Sequence, residues 1–393
     1  MKVLICVDSY PLVRFNGGDL QLYNIIKNID KKIEFYLLYF DDRSAAVPEE
    51  QIFDHSIFKG LIRVDTKMGN LFTKAKSLNQ ELSKIITEYK IDLIITRSNE
   101  MSIYVSKNTG VPNILNYVDS RTLLWGREFR QSYTIVTKLK SLLSLIKSLF
   151  YESFIIQKFQ AVVVVSQIDK DSIEKRNKKV DIHVIPNGVN TDFFRPSEAL
   201  EEDENSILFF GSMNYLPNID AAIFIHSQIL PLIASKVSNI KFSIVGRNPT
   251  EDIRKLADEK QTFVTDYIPD IRSAIQKSAI VLIPMRKGAG IKNKLLEAMS
   301  MKKAIVTTSI CAESLSNEAK EHLYICDTPE DLARSVISLL KDKNARLRCG
   351  EKNRDVVVRE YSWIKASEKL QRLMESLTEK HDQGNEVIIK SKF

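Results

Sequence analysis

Short apolar runs alternate with longer amphipathic stretches along the whole chain. In the first half, compact apolar runs at residues 3–7, 33–38, 61–64, 93–96, 114–117, 162–166 and 183–185 predict strands. Stretches with apolar residues at helical spacing, among them 71–89 and 132–159, predict helices between them. Strands alternating with helices build right-handed βαβ units and a parallel sheet.

The pattern breaks at Ile185-Pro186-Asn187-Gly188-Val189-Asn190, and an acidic polar run follows over residues 198–205. Pro and Asn-Gly favour tight turns, so this segment reads as a domain boundary. Beyond it the alternation starts again, with strands expected at 207–210, 242–245, 263–265, 280–284, 304–307 and 324–326 and two helices near the end. No short period recurs, which argues for two similar α/β folds rather than a solenoid. A length of 393 residues suits two domains, placed at 1–187 and 188–362. Residues 386–393 are expected to fray.

Composition narrows the classes. Hydrophobic residues make up 44% and charged residues 27%, as in a globular protein. The net charge of +7 and the pI of about 8.9 suit an anionic small molecule, an anionic membrane surface or nucleic acid. Basic residues are interspersed with acidic ones and no nucleic-acid motif is present, so no nucleic acid is expected as partner. The four cysteines and five histidines are scattered, without C-x-x-C or H-E-x-x-H. A protein-built metal site and a disulfide framework are therefore not expected. The first residues read as a strand rather than a signal peptide, and no uncharged run approaches the roughly 20 residues that span a bilayer. These readings predict a cytoplasmic protein, with the inner membrane face as a candidate surface.

Two glycine-bearing strand-to-helix junctions carry candidate chemistry. The first holds Gly17 and Gly18, where a backbone can approach a ligand and a helix N-terminus can meet an anion; a plain turn explains it equally. The second runs Arg286-Lys287-Gly288-Ala289-Gly290-Ile291-Lys292-Asn293-Lys294-Leu295-Leu296-Glu297. It follows an apolar strand and opens an amphipathic helix. Gly288 and Gly290 clear space at the helix N-terminus, where the dipole favours negative charge. Lys294 and Glu297 lie three apart, on one face. Such a pair can neutralise a phosphate and accept hydrogen bonds from ribose hydroxyls, and it also fits an ordinary surface ion pair. Residues 134–159 interleave Leu, Ile and Phe with Lys138, Lys140, Lys147 and Lys158. That pattern fits docking on a membrane surface or a helix packed on its sheet with snorkelling lysines.

Residues 288–304, GAGIKNKLLEAMSMKKA, resemble the donor-binding motif of the retaining glycosyltransferase family four (glycosyl transferases group 1). HVIPNGVNTDFFRP at 183–196 resembles its interdomain segment, and FFGSMNYLPNIDA at 209–221 its first C-terminal strand and loop. IVGRNPT at 244–250, VTDYIPD at 264–270 and the aromatic Trp363 follow in the family's order. Within the family the chain is similar to sugar transferases of bacterial exopolysaccharide systems. The resemblance covers nearly the whole chain and is sharp from about residue 160.

The resemblance implies a GT-B fold: two Rossmann-like domains facing across a cleft, the last helix (about 363–380) crossing back to the first domain. It implies transfer of a sugar, of hexosyl type, from a nucleoside diphosphate sugar to a hydroxyl acceptor, a lipid-linked or polysaccharide precursor. Retention of configuration, no cofactor and no metal are part of that expectation. Glu297 would bind the ribose, and Lys294 with Arg286 the diphosphate. Gly211, Ser212 and Asn214 would approach the phosphates, Arg247 would line the nucleotide pocket, and Tyr267 and Ile268 would meet the base. Gly17 and Gly18 would come near the diphosphate and the acceptor.

Three departures stand out. The family's acidic partner upstream of Glu297 falls on Ala289. The Arg and Lys often found after the first C-terminal strand are absent from GSMNYLPN. The position where many members carry a histidine reads Tyr117-Val118-Asp119-Ser120-Arg121. Asp119 is the candidate for the sugar-contacting or acid/base role there, its alternative being a helix N-cap. A non-catalytic assembly subunit of the same fold and a sugar-nucleotide epimerase are the competing functions.

Overall fold

The computed structural model describes every residue except 11, 13–16, 43–51, 65–70, 98, 132–133, 198–199, 259, 289 and 391–393. The chain forms two compact units, Met1–Pro186 with Trp363–Phe393, and Asn187–Ser362.

The first unit contains β1 (Lys2–Cys6), β2 (Ser9–Tyr10), α1 (Gly17–Lys27), β3 (Glu34–Tyr39), β4 (Asp41–Asp42), β5 (Phe58–Arg63) and α2 (Leu71–Tyr89). It continues with β6 (Leu93–Arg97), α3 (Asn99–Tyr104), β7 (Asn113–Val118), α4 (Arg121–Gln131), α5 (Ile135–Phe150), β8 (Ala161–Val164), α6 (Gln167–Glu174) and β9 (Ile182–Val184). Seven strands form one parallel sheet in the order β5-β3-β1-β6-β7-β8-β9. Central strands such as β1 and β8 are apolar at nearly every position because helices cover both faces.

The second unit contains β10 (Asp203–Phe210), α7 (Leu216–Phe224), α8 (Leu230–Ala234), β11 (Lys241–Val245), α9 (Glu251–Arg254), β12 (Thr262–Thr265), α10 (Arg272–Lys277) and β13 (Ser278–Ile283). Then come α11 (Asn293–Ser300), β14 (Ala304–Thr307), α12 (Ser309–Ala312), α13 (Asn317–Glu321), β15 (Tyr324–Ile325), α14 (Pro329–Lys341) and α15 (Lys343–Glu360). Six parallel strands run in the order β12-β11-β10-β13-β14-β15. The apolar helical run Leu216–Ala234 is long enough to cross a membrane by composition. Here it packs into the core, with Ala221, Phe224, Ile225, Ile229 and Ile233 buried.

The last helix, α16 (Trp363–Lys390), belongs to the first unit. Trp363, Ala366, Leu370, Leu373 and Met374 join the core on the α1 side of the first sheet, and the Ser367 hydroxyl donates to the Ile25 carbonyl (2.7 Å).

Each sheet follows the doubly wound order, in which the first and fourth strands are neighbours and the chain winds outward both ways. Ligands bind such sheets outside the carboxyl ends of the strands at that switch point. The switch points lie between β1 and β6 in the first unit and between β10 and β13 in the second.

The structure differs from the sequence expectation in three places. The helix expected over 132–159 ends as α5 at Phe150 and passes into a π turn (Tyr151–Ile155) and a 3-10 turn (Ile156–Lys158). The wider π turn brings the polar Glu152 fully inside. The two-residue strands β2 and β4 pair with each other, too short to leave a periodic signal. The tail expected to fray from 386 stays helical to Lys390.

Candidate active site

In the second unit, the sequence-singled residues of the loops after β10, β11, β12 and β13 gather along one edge of the sheet. β10 ends at Phe210, and Gly211 follows with φ of 146°. A Cβ there would meet Lys294 Nζ at 2.8 Å and Asn218 Nδ2 at 2.9 Å. Gly246, just after β11, has φ of 154°, and a Cβ on it would run into the Gly211 carbonyl. Both positions require glycine, because backbone and side chains approach closely in a region closed to most L residues.

A polar chain ties this edge together. Lys294 Nζ donates to Asn218 Oδ1 (2.6 Å), and Asn218 Nδ2 donates to the Ser212 carbonyl (2.9 Å). Arg247 Nε donates to Ser212 Oγ (3.0 Å), which donates to Asn214 Oδ1 (2.9 Å). Lys294 Nζ also sits over the Phe209 ring, 4.5 Å from its centroid. Among the described residues Lys294 pairs with no carboxylate, and the Glu297 carboxylate accepts no hydrogen bond. Lys294 stands in the first turn of α11, whose N-cap residue Lys292 makes no side-chain cap. The uncapped N–H groups and the ammonium together could hold an anion.

Both side chains are half-buried, at a place where water is largely excluded from their charged ends. That exclusion lowers the Lys294 ammonium to about 8 and pushes the Glu297 carboxyl up to about 7, partly opposed by Lys294. Desolvation also lowers Arg247. Gly288 and Gly290 take positive φ (113° and 68°), which turns the loop into α11. Ala289 lies outside the described residues.

Arg286 is placed differently from Lys294. It makes two hydrogen bonds to Asp220, Nε to Oδ2 (3.0 Å) and Nη2 to Oδ1 (2.8 Å), and stacks over Phe224. Its charge is already matched, so Lys294 is the more available cation. Tyr267 follows β12 and is 64% exposed, while Ile268 packs partly against the core.

In the first unit, Gly17 and Gly18 open α1 beside the switch point. A Cβ on Gly18 would strike the Arg97 guanidinium, which pairs with buried Asp19 (2.5 Å). Each switch point thus sets a basic side chain from the fourth-strand side against a glycine of the first-strand junction: Arg97 with Gly18, Lys294 with Gly211.

Asp119 follows β7 on a strained turn. Val118 has φ of 70°, and the Asp119 N–H reaches back to the Tyr117 carbonyl (3.0 Å). This is a γ-turn of the rare hand, centred on a β-branched residue. Glu152 holds both sides of it. Its Oε1 accepts from Tyr117 Oη (3.1 Å), Ser120 Oγ (3.0 Å) and the Thr122 N–H (3.0 Å), and its Oε2 lies 3.3 Å from Arg176. Ser120 Oγ accepts from the Leu123 N–H (3.3 Å), as an N-cap residue does.

Asn218, Arg97, Asp19, Asp220, Gly246 and Glu152 carry no role in the sequence reading. Each matters through a contact with a residue far along the chain.

Residues 15–193 match the family model "Glycosyltransferase Family 4", and residues 204–342 match "Glycosyl transferases group 1". The chain belongs to the group 1, family four glycosyltransferases. This glycosyltransferase is 22% identical over 183 residues to an uncharacterised 44.6 kDa protein in the cps region of Klebsiella pneumoniae. The match covers 44% of the chain and spans about half of that relative, 46% of its length. Among solved structures, sucrose-phosphate synthase from Thermosynechococcus elongatus matches with a TM-score of 0.68 at 13% identity, covering 96% of this chain and 98% of that one. Anabaena HepE in complex with UDP and glucose matches with a TM-score of 0.67 at 13% identity, covering 96% and 100%. The fold of this glycosyltransferase is therefore GT-B.

Proposed function

We propose that this glycosyltransferase moves a sugar from a nucleoside diphosphate sugar to a hydroxyl of a carbohydrate or lipid-linked acceptor, in the cytoplasm. The bond between the anomeric carbon and the diphosphate oxygen breaks. The acceptor oxygen bonds to that carbon, and its proton passes to a base or to the departing phosphate. The observation that carries this reading is Lys294: a desolvated cation that forms no salt bridge among the described residues, at the switch point and in the first turn of a helix. Negative charge grows on the diphosphate as the bond breaks, and a preorganised cation stabilises that state most.

Glu297 accepts hydrogen bonds from the ribose, and the Gly211–Gly246 backbone lets the phosphates approach. Tyr267 and Ile268 border the base. Arg286 can turn to the phosphates only by releasing Asp220. Asp119 is the first unit's candidate for the sugar contact or proton transfer, because strain of this kind concentrates at functional sites. A structural neighbour solved with UDP and glucose supports a nucleoside diphosphate sugar as donor. The relative in a cps region supports an exopolysaccharide setting. Hexosyl transfer, retention and independence of metal rest on the family resemblance.

The test is a panel of nucleotide sugars screened by thermal shift, then transfer kinetics in chelator with the donor that stabilises the fold. Lys294→Ala should lower turnover at saturating donor by about 10²-fold or more. Lys294→Arg should rescue it only in part, because the guanidinium is broad and planar. Near-normal turnover in Lys294→Ala would sink this account of leaving-group stabilisation. Abolition by chelator with rescue by magnesium would sink metal independence. Full donor affinity with no transfer to any acceptor would favour an assembly subunit.

A further inference from the structure

α5 presents its faces in reverse. The residues it buries are Ser141 and Ser148. Ile135 is 87% exposed, Ile146 54% and Phe150 59%, and Leu139 and Leu143 are exposed as well. Those five step by four, four, three and four residues, the spacing of one helical stripe. Phe154 in the following turn is also exposed and lies against Phe150, ring centroids 5.2 Å apart. A helix that packs on a domain turns such a stripe inward. A contiguous exposed apolar face of this kind marks an interaction surface.

Charge identifies what it meets. At about 100° per residue, Lys138 falls on one flank of the stripe and Lys140 and Lys147 on the other. No Asp or Glu occurs between Phe129 and Tyr151, and Glu152, the next carboxylate, is fully buried. Two copies meeting through this stripe would set the lysines of one near the lysines of the other, and neither α5 carries an acid. Anionic lipid headgroups answer both flanks while the acyl region takes the stripe.

We propose that α5 is a membrane-docking helix that lies in the plane of an anionic bilayer surface, with Ile135, Leu139, Leu143, Ile146 and Phe150 inserted and the three lysines at the headgroups. Docking brings this glycosyltransferase to the surface where a lipid-linked acceptor is presented; that last clause alone rests on the proposed transfer reaction. Binding should be weakened by salt, since the lysines are exposed.

The experiment is co-sedimentation of the full chain with vesicles of phosphatidylglycerol and phosphatidylcholine, and with phosphatidylcholine alone. Wild type should bind the anionic vesicles and release in high salt. Lys138→Glu with Lys140→Glu and Lys147→Glu should weaken binding by on the order of 10²-fold or more. Leu143→Asp with Ile146→Asp should abolish it. All five positions are exposed, so circular dichroism and nucleotide-sugar binding should match wild type. The vesicle measurement contains no donor, so its failure and failure of the donor site are distinguishable. Equal vesicle binding by wild type and both variants would overturn the proposal. So would a concentration-dependent dimer, without vesicle binding, that Leu143→Asp dissolves.

Discussion

Lys294 and Glu297 are close enough to interact, yet burial works against the charge on each: the lysine falls to about 8 and the glutamate rises to about 7. Donor binding should favour both charged forms, the ammonium through the diphosphate and the carboxylate through ribose hydroxyls. Affinity for a nucleotide sugar, whose diphosphate stays ionised throughout, should therefore fall as pH rises above about 8 and as it drops below about 7. Calorimetric affinities across that range check it; a flat profile from acid to base would remove both groups from the site. The signs also fix a stability result. A carboxyl whose folded pKa is raised opposes folding once the unfolded chain ionises, so Glu297 destabilises the unliganded fold progressively from its ordinary value up to about 7. Glu297→Gln should leave the free protein at least as stable at pH 8. Glu297→Ala should weaken donor binding by about 1.5–3 kcal/mol through the lost charge-assisted hydrogen bond. Both residues were legible in the sequence, because a Gly-loop opening an amphipathic helix is a local signal. Asn218, which receives the Lys294 proton donor across the switch point, was not: its role exists only once β10 and β13 are neighbours.

At the scale of elements, all thirteen strands of the two sheets were readable as apolar runs: central strands such as β1 and β8 are covered on both faces and carry no polar alternation, and edge strands such as β5 and β12 alternate. Orientation was less readable. The period of α5 shows that it has an apolar stripe, and nothing in that period says which way the stripe points. The turn carrying Asp119 shows the same limit. Tyr117, Ser120 and Thr122 converge on one buried carboxylate that arrives from a different element. Glu152 is here a positioning residue. Glu152→Gln keeps the shape but loses charge-assisted acceptance and the Arg176 pairing. It should lower turnover while leaving nucleotide-sugar affinity unchanged, since the proposed donor site lies in the other unit. Glu152→Ala should cost about 1–3 kcal/mol for each buried donor it leaves without an acceptor, Tyr117, Ser120 and Thr122. A fall in turnover with Glu152→Gln but none with Asp119→Asn would remove the Asp119 carboxylate from the chemistry.

At the scale of the whole molecule, the chain starts and ends in the same unit, while residues 187–362 form the other from one continuous stretch. The first unit's core is therefore closed by the last helix, and the two units should respond differently to its loss. Trp363, Leu370, Leu373 and Met374 are each less than a tenth exposed within that core. Burying such side chains contributes about 1.5–3 kcal/mol apiece. Four of them together contribute about 6–12 kcal/mol, comparable with the 5–15 kcal/mol that stabilises a typical domain. Removing residues 363–393 should then unfold or severely loosen the first unit. The second unit keeps its sheet, its helices and the Lys294–Asn218 contact within 187–362. Hydrogen exchange on the truncated chain is the measurement. Protection should vanish in β1 and β3 and persist in β10 and β13, with nucleotide-sugar binding retained and transfer lost. Persistent protection in β1 would show that α16 adds little to the first core. Loss of protection in both sheets at once would show that the two units fold as a single cooperative body, and the donor site could then not be ascribed to the second unit acting by itself.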